Sequence, residues 1–305
     1  MHIEVAAAQF APSKGDYAAN LETVGRVLGQ LEQSGTPPDL VVFPETALTG
    51  YFLEGGVGEH ALSADRVFTD LLTTYRTHVV RPGAVVDVAI GFYESRNGHC
   101  YNSGLYATLT SAQTPDTEPA LRHVHRKFFL PTYGVFDEER FVARGRSIAA
   151  FDTRLGRIAV LICEDAWHSI SGTIAALDGA QIVAVLSASP GREFGSDGIG
   201  NLRRWDRLLQ ALAEEHGIFV VYAGLVGFEG GKGFTGSSSI YDPWGHVMAR
   251  GSAIEPCIVR ARIESSDIGL ARRATPLLAD LETALSDLVR QLEALGARMD
   301  PGGGR

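Results

Sequence analysis

Short, wholly apolar runs alternate with amphipathic segments of helical period along most of this 305-residue chain, and that alternation restricts the fold more than any other feature. Residues 40–43, 158–162, 182–186 and 218–222 are apolar throughout and too short for helices, which predicts strands of a sheet covered on at least one face by helices. Residues 3–10 read as a further buried strand. Residues 17–31, 62–75, 201–216 and 275–297 carry the helical period. Residues 85–93 and 101–109 predict two strands around a turn-rich stretch at 94–99. Residues 111–119, rich in Pro and Thr, predict an exposed hairpin tip. Strands alternating with helices imply an α/β fold. No repeat and no linker divides the chain, so residues 1–300 are expected to form one domain, followed by a flexible tail at 301–305.

Composition removes several function classes. An apolar fraction of 45% is too high for a disordered chain. A net charge of −9 without a long basic run argues against binding nucleic acid, which requires neutralised phosphates. No apolar stretch approaches the roughly 18 residues of a membrane span. The start, Met1-His2-Ile3-Glu4, lacks the basic region of a signal peptide. Three cysteines, few and far apart, make neither a disulfide framework nor a metal clip. A reducing cytoplasm is the expected location. Only Lys14, Lys127 and Lys232 are lysines; the other 24 basic residues are arginine. A lysine here can mark a position that needs a compact ammonium.

Several motifs fail their context. Gly231-Lys232-Gly233-Phe234-Thr235-Gly236 fits GxGxxG, yet a strand and a turn follow it where a dinucleotide site needs a helix. His123 and His125 share one face of a strand, without a third ligand at fitting spacing, so a polar strand face is preferred to a metal site. The serines at 187, 189 and 237–239 lack the GxSxG elbow of a serine hydrolase and read as loop hydrogen-bonders. Cys100 and Cys257 read as buried fillers.

Three segments belong together. In Val41-Val42-Phe43-Pro44-Glu45 a strand stops at proline and a carboxylate follows. In His125-Arg126-Lys127 the rare lysine leaves a strand and enters a long loop, through Tyr133 to Glu138 and Glu139. In Ile158-Ala159-Val160-Leu161-Ile162-Cys163-Glu164-Asp165 an apolar strand ends in a cysteine. Strand ends are where α/β proteins place chemistry. A thiol, a carboxylate and an ammonium make a set for acyl transfer: nucleophile, proton carrier and oxyanion partner.

In these three contexts, in this order, and in Ala8-Gln9-Phe10-Ala11-Pro12, Ser187-Ala188-Ser189-Pro190 and Asp242-Pro243-Trp244-Gly245, the sequence resembles the nitrilase superfamily of carbon–nitrogen hydrolases. Lys127-x-x-Leu130-Pro131-Thr132-Tyr133-Gly134 and Ile162-Cys163-Glu164-Asp165-Ala166-Trp167 most resemble the glutamine-amidase domain of glutamine-dependent NAD synthetases. These 305 residues hold no SGGxDS motif and no ATP-using second domain is expected after them, so supplying ammonia to such a synthesis would call for an ammonia-using partner enzyme. Ala143-Arg144-Gly145-Arg146 and Ala223-Gly224 depart from many relatives, and both are expected near the substrate end.

The resemblance implies a four-layer α-β-β-α sandwich and a homodimer or larger homo-oligomer. It implies a Glu45–Lys127–Cys163 triad that hydrolyses a small amide, ω- or glutamine-like, through a thioester. Glu138, or Glu139 if the loop slips by one, would orient Lys127 or Glu45. Tyr133, Glu164, Trp167 and Ser189 are the expected substrate contacts. No metal and no organic cofactor is required by this set. A nitrile or N-carbamoyl substrate, a catalytically silent binding module and a metal amidohydrolase built on His123 and His125 stay open as alternatives.

Overall fold

The side-chain alternation of the first strand separates the layers of the molecule. In β1 (His2–Gln9), Ile3, Val5 and Ala7 enter one apolar cluster, while Ala6 and Ala8 enter another on the opposite face. The structure is a computed structural model that describes residues 1–112, 117–195 and 198–299. The centre of the polar 111–119 stretch and the 301–305 tail lie outside the described residues.

The first half of the chain continues through α1 (Tyr17–Gln33), β2 (Leu40–Val42), α2 (Ala64–His78), β3 (Val85–Arg96), β4 (His99–Thr110) and β5 (Ala120–Arg126). Side chains of Asp16 and Ser63 cap α1 and α2 by accepting from Ala19 and Arg66 N–H. The second half runs β6 (Ala150–Thr153), β7 (Gly156–Ile162), α3 (Ser169–Leu177), β8 (Ile182–Ser187), α4 (Gly200–His216) and β9 (Phe219–Gly224). It closes with β10 (Ser239–Tyr241), β11 (Val247–Arg250), β12 (Cys257–Glu264), α5 (Ser265–Ala274) and α6 (Leu277–Met299).

Two six-stranded sheets result, in the orders β12-β1-β2-β3-β4-β5 and β11-β10-β9-β8-β7-β6. The central pairs β1–β2–β3 and β7–β8–β9 are parallel and the outer pairs antiparallel. Ile3, Val5, Val42, Val160, Ala184 and Val221 pack the two sheets face to face. Val24, Leu28, Val67 and Leu71 of α1 and α2 cover the first sheet. Ala175, Trp205, Leu209 and Leu212 of α3 and α4 cover the second. The layers are therefore α-β-β-α, as the resemblance implied. No helix among the described residues is long and apolar enough to cross a membrane.

The structure corrects three local readings. The turn expected at 94–99 is only two residues long: Asn97 and Gly98 take φ of 50° and 78°, and the strands run up to Arg96 and on from His99. An Asn-Gly pair tolerates those angles and so makes the tightest hairpin. β12 and α5 were not legible, because Arg260 and Arg262 interrupt the apolar run of an edge strand. Cys100 and Cys257 are half-buried rather than buried: each packs at the margin of an apolar cluster.

Candidate active site

Four strand exits meet at one end of the sandwich. β2 pairs with β3 until Phe43, whose N–H donates to Ala89; Pro44 has no N–H to continue the ladder. Pro44 carbonyl instead accepts from Gly91 N–H at 3.0 Å, and a Cβ on Gly91 would fall 2.5 Å from Glu45 Cα. A glycine in β3 is what lets Glu45 lie against the sheet. The Glu45 carboxylate is fully buried. Its Oε1 accepts from Lys127 Nζ at 2.8 Å and Asn102 Nδ2 at 2.7 Å, and its Oε2 from Ala188 N–H at 2.7 Å.

Lys127 follows the last residue of β5, its backbone pinned on both sides: Lys127 N–H donates to Asn102 and Lys127 carbonyl accepts from Gly145. Its ammonium also donates to Glu138 Oε1 at 2.6 Å, the oxygen that accepts from the Tyr51 hydroxyl. Glu138 is buried and Glu139 exposed, so the loop keeps the first of the two registers. Burial alone would push Lys127 down, but Glu138 and Glu45 hold it well above its usual range. Burial is also the main reason that Glu138 is pushed up to about 7, against the pull of Lys127 and with the second carboxylate adding to the rise.

Cys163 follows β7 in a left-handed conformation, φ 45°, and opens a single 3₁₀ turn, Cys163–Trp167. A non-glycine residue held there costs about 1–3 kcal/mol and needs surroundings that fix it. Asp165 supplies them: its carboxylate accepts from the N–H groups of Phe128, Phe129 and Ile162 and lies 2.8 Å from His125 Nε2. One buried side chain thus ties the thiol's turn to the backbone that follows Lys127. Ser187 Oγ donates to Cys163 Sγ at 3.6 Å. Burial first, then the Glu45 charge, push the thiol well above its usual range, opposed by Lys127 and the Ser187 bond.

The expected substrate contacts divide. Tyr133 hydroxyl donates to Glu164 Oε2 at 2.9 Å. Tyr133, Trp167 and Phe136 all face the guanidinium of Arg192, at 5.6, 5.6 and 5.2 Å. Ser189 lies on the same loop as Arg192, but its buried hydroxyl accepts from Asn201. A cavity of about 190 Å³ opens beside Glu138, lined by Tyr51, Tyr93, Phe136 and Phe141. His125 is engaged by Asp165 and His123 stacks on Phe151 at 4.3 Å. Arg144 and Arg146 line a separate cavity with Arg96, Arg126, His123 and His125. Gly145, between them, donates its N–H to the Lys127 carbonyl. Sequence reasoning missed Asn102, Asp165 and Arg192. Asn102 alone carried a signal, as a polar residue within a strand run.

Fold and site define a two-sheet α/β sandwich with an ammonium set between two buried carboxylates and a strained cysteine at a neighbouring strand exit. A family model described as carbon-nitrogen hydrolase matches residues 4–273, and the chain belongs to that family. It is 30% identical over 264 residues to a glutamine-dependent NAD(+) synthetase of Thermotoga maritima, covering 86% of this chain and 42% of that protein. The chain thus spans less than half the length of that relative. It is 26% identical over 276 residues to the 2-oxoglutaramate amidase of Bacillus subtilis, covering 88% and 95%. A carbon-nitrogen hydrolase of Helicobacter pylori G27 superposes with a TM-score of 0.78 at 22% identity, over 93% of this chain and 98% of that one.

Proposed function

We propose that the chain is a cysteine-dependent amidase for a small amide that carries a carboxylate. The observation that carries this reading is the Lys127 ammonium held between Glu45 and Glu138 beside the Cys163 turn. With its pKa raised, the thiol rests protonated and needs a base at the moment of attack. Glu45 is that base. Its carboxylate accepts from Lys127, Asn102 and Ala188, and these bonds hold it in place beside the Cys163 turn.

Cys163 Sγ bonds the amide carbon as its proton passes to Glu45, and the carbonyl oxygen takes the negative charge. Lys127, with the N–H of Glu164, stabilises that oxyanion. Glu45 returns the proton to the nitrogen, the C–N bond breaks, and ammonia leaves a thioester on Cys163. Water then attacks the thioester with Glu45 as base, and the acid departs as the thiol regains a proton. Glu138 is a positioning residue that keeps Lys127 in line. Tyr133, Glu164 and Trp167 border the substrate, and Arg192, held over Tyr133 and Trp167, pairs with its carboxylate. The names of the Thermotoga and Bacillus relatives support a glutamine-like or 2-oxo ω-amide.

Ammonia released from such a substrate would serve a partner enzyme, and a second copy of this chain completes the expected assembly. Ammonia release from glutamine, 2-oxo ω-amides, simple amides, N-carbamoyl compounds and nitriles, compared between wild type and Cys163→Ala, tests the reading. Release from a carboxylate-bearing amide that vanishes in Cys163→Ala supports it. Release that survives the substitution overturns it.

A further inference from the structure

We propose that this chain carries a second ligand site, an arginine-lined cavity behind Lys127 that binds a small, multiply charged phosphate-type anion of the diphosphate kind. The cavity measures about 250 Å³ and is bordered by Arg96, Arg126, Arg144 and Arg146 together with His123 and His125. At roughly 30 Å³ per water, it holds about eight waters' volume, more than a single monovalent ion needs. It lies at the β5 edge of the first sheet and is independent of the amidase reading.

Three separate pieces of backbone bring the arginines together. The tight Asn97-Gly98 turn sets Arg96 at one wall. Arg126 ends β5. Arg144 and Arg146 flank Gly145, whose Cβ, if it had one, would lie 2.0 Å from Arg126 carbonyl oxygen. Only glycine permits that close approach, and the approach brings the backbone of Arg144 and Arg146 to the cavity wall.

Positive charge is concentrated there and only partly matched, with Arg126 over the Tyr101 ring and Arg144 over the Phe128 ring. In a chain of net charge −9, four guanidiniums share one cavity. Among the described residues the one carboxylate paired with any of them is Glu94, 2.6 Å from Arg126, and Glu94 also accepts from Ser103. Arg126 Nε is buried with no hydrogen-bond partner. Such an atom calls for an acceptor brought in from outside. Burial first, then His125 and Arg126, hold His123 down at about 4, so near neutral pH it can donate one N–H without adding charge. A single carboxylate would leave most of this charge unmatched. A diphosphate offers several acceptor oxygens in the geometry that guanidinium forks pair with.

The test is thermal unfolding and calorimetric titration of the full chain with inorganic pyrophosphate, against sodium chloride at matched ionic strength. The expected result is a saturable rise in Tm with pyrophosphate alone, and at least tenfold weaker binding by the exposed double variant Arg96→Gln/Arg146→Gln. Ammonia release without pyrophosphate should be equal in the two proteins. Equal Tm in the two salts, or equal binding by the double variant, overturns the site. In wild type, with no substitution to perturb folding, the His123 ring resonances must shift on pyrophosphate addition; unmoved resonances also overturn it. ADP titrated in competition identifies the source: displacement of pyrophosphate by tighter-binding ADP supports the site as one for a nucleoside diphosphate, and pyrophosphate binding without ADP binding supports it as one for the inorganic anion.

Discussion

Arg126 and Lys127 are neighbours in sequence and opposites in setting. Lys127 is enclosed, its ammonium matched by two buried carboxylates. Arg126 pairs with one carboxylate, Glu94, lies over the Tyr101 ring and borders an open cavity. Neighbouring positions at the end of an extended strand project to opposite sides, so one strand end serves two environments. The difference teaches what each cation is used for. A compact ammonium fits between carboxylates at 2.6 and 2.8 Å, whereas a planar fork needs an acceptor shaped to receive it.

Exchanging the two cations breaks this comparison most severely. Lys127→Arg keeps the charge but cannot place it on the oxyanion, and turnover in steady-state kinetics should fall by about 10²- to 10³-fold. Asp165→Ala comes next. It strips the acceptor from three backbone N–H groups and from His125, and should destabilise the fold by about 3–5 kcal/mol in urea unfolding, with loss of activity.

Glu138→Gln sharpens the lysine's side of the contrast through pH. The folded-state pKa of Glu138 is raised to about 7. The folded protein therefore holds a proton that the unfolded chain releases at the ordinary carboxylate pKa. That contribution is fully present below the unfolded value, near pH 4.5, and is lost as pH rises through about 7. The glutamine variant should show a flatter stability profile across this window when unfolding is measured from pH 4.5 to 7.5. The smallest effect belongs to Arg126→Lys. The pair with buried Glu94 loses its planar fork and its contact with the Tyr101 ring, stability should fall by about 1 kcal/mol in urea unfolding, and unliganded turnover should stay at the wild-type level.

Much of the frame was legible because apolar runs must be buried. The strands at 40–43, 158–162 and 182–186 and the four long helices lie close to where their periods put them. The candidate site was legible in part for the same reason. Glu45, Lys127 and Cys163 each stand where a strand pattern stops, and lysine is conspicuous in an arginine-rich chain. Asp165 was hidden because its role depends on backbone amides 36 and 37 residues away, which leave no mark in local sequence. Arg192 was hidden among the other 23 arginines; only the fold brings it over Tyr133 and Trp167.

The central claim is that Cys163 forms a thioester with the substrate's acyl group under the control of Glu45 and Lys127. Product partitioning with hydroxylamine tests it most directly. With a carboxylate-bearing amide as substrate, hydroxylamine should divert acyl groups from acid to hydroxamate in proportion to its concentration. Both products should vanish in Cys163→Ala. Ammonia release that persists in Cys163→Ala, or that yields the acid alone at every hydroxylamine concentration, would contradict the account.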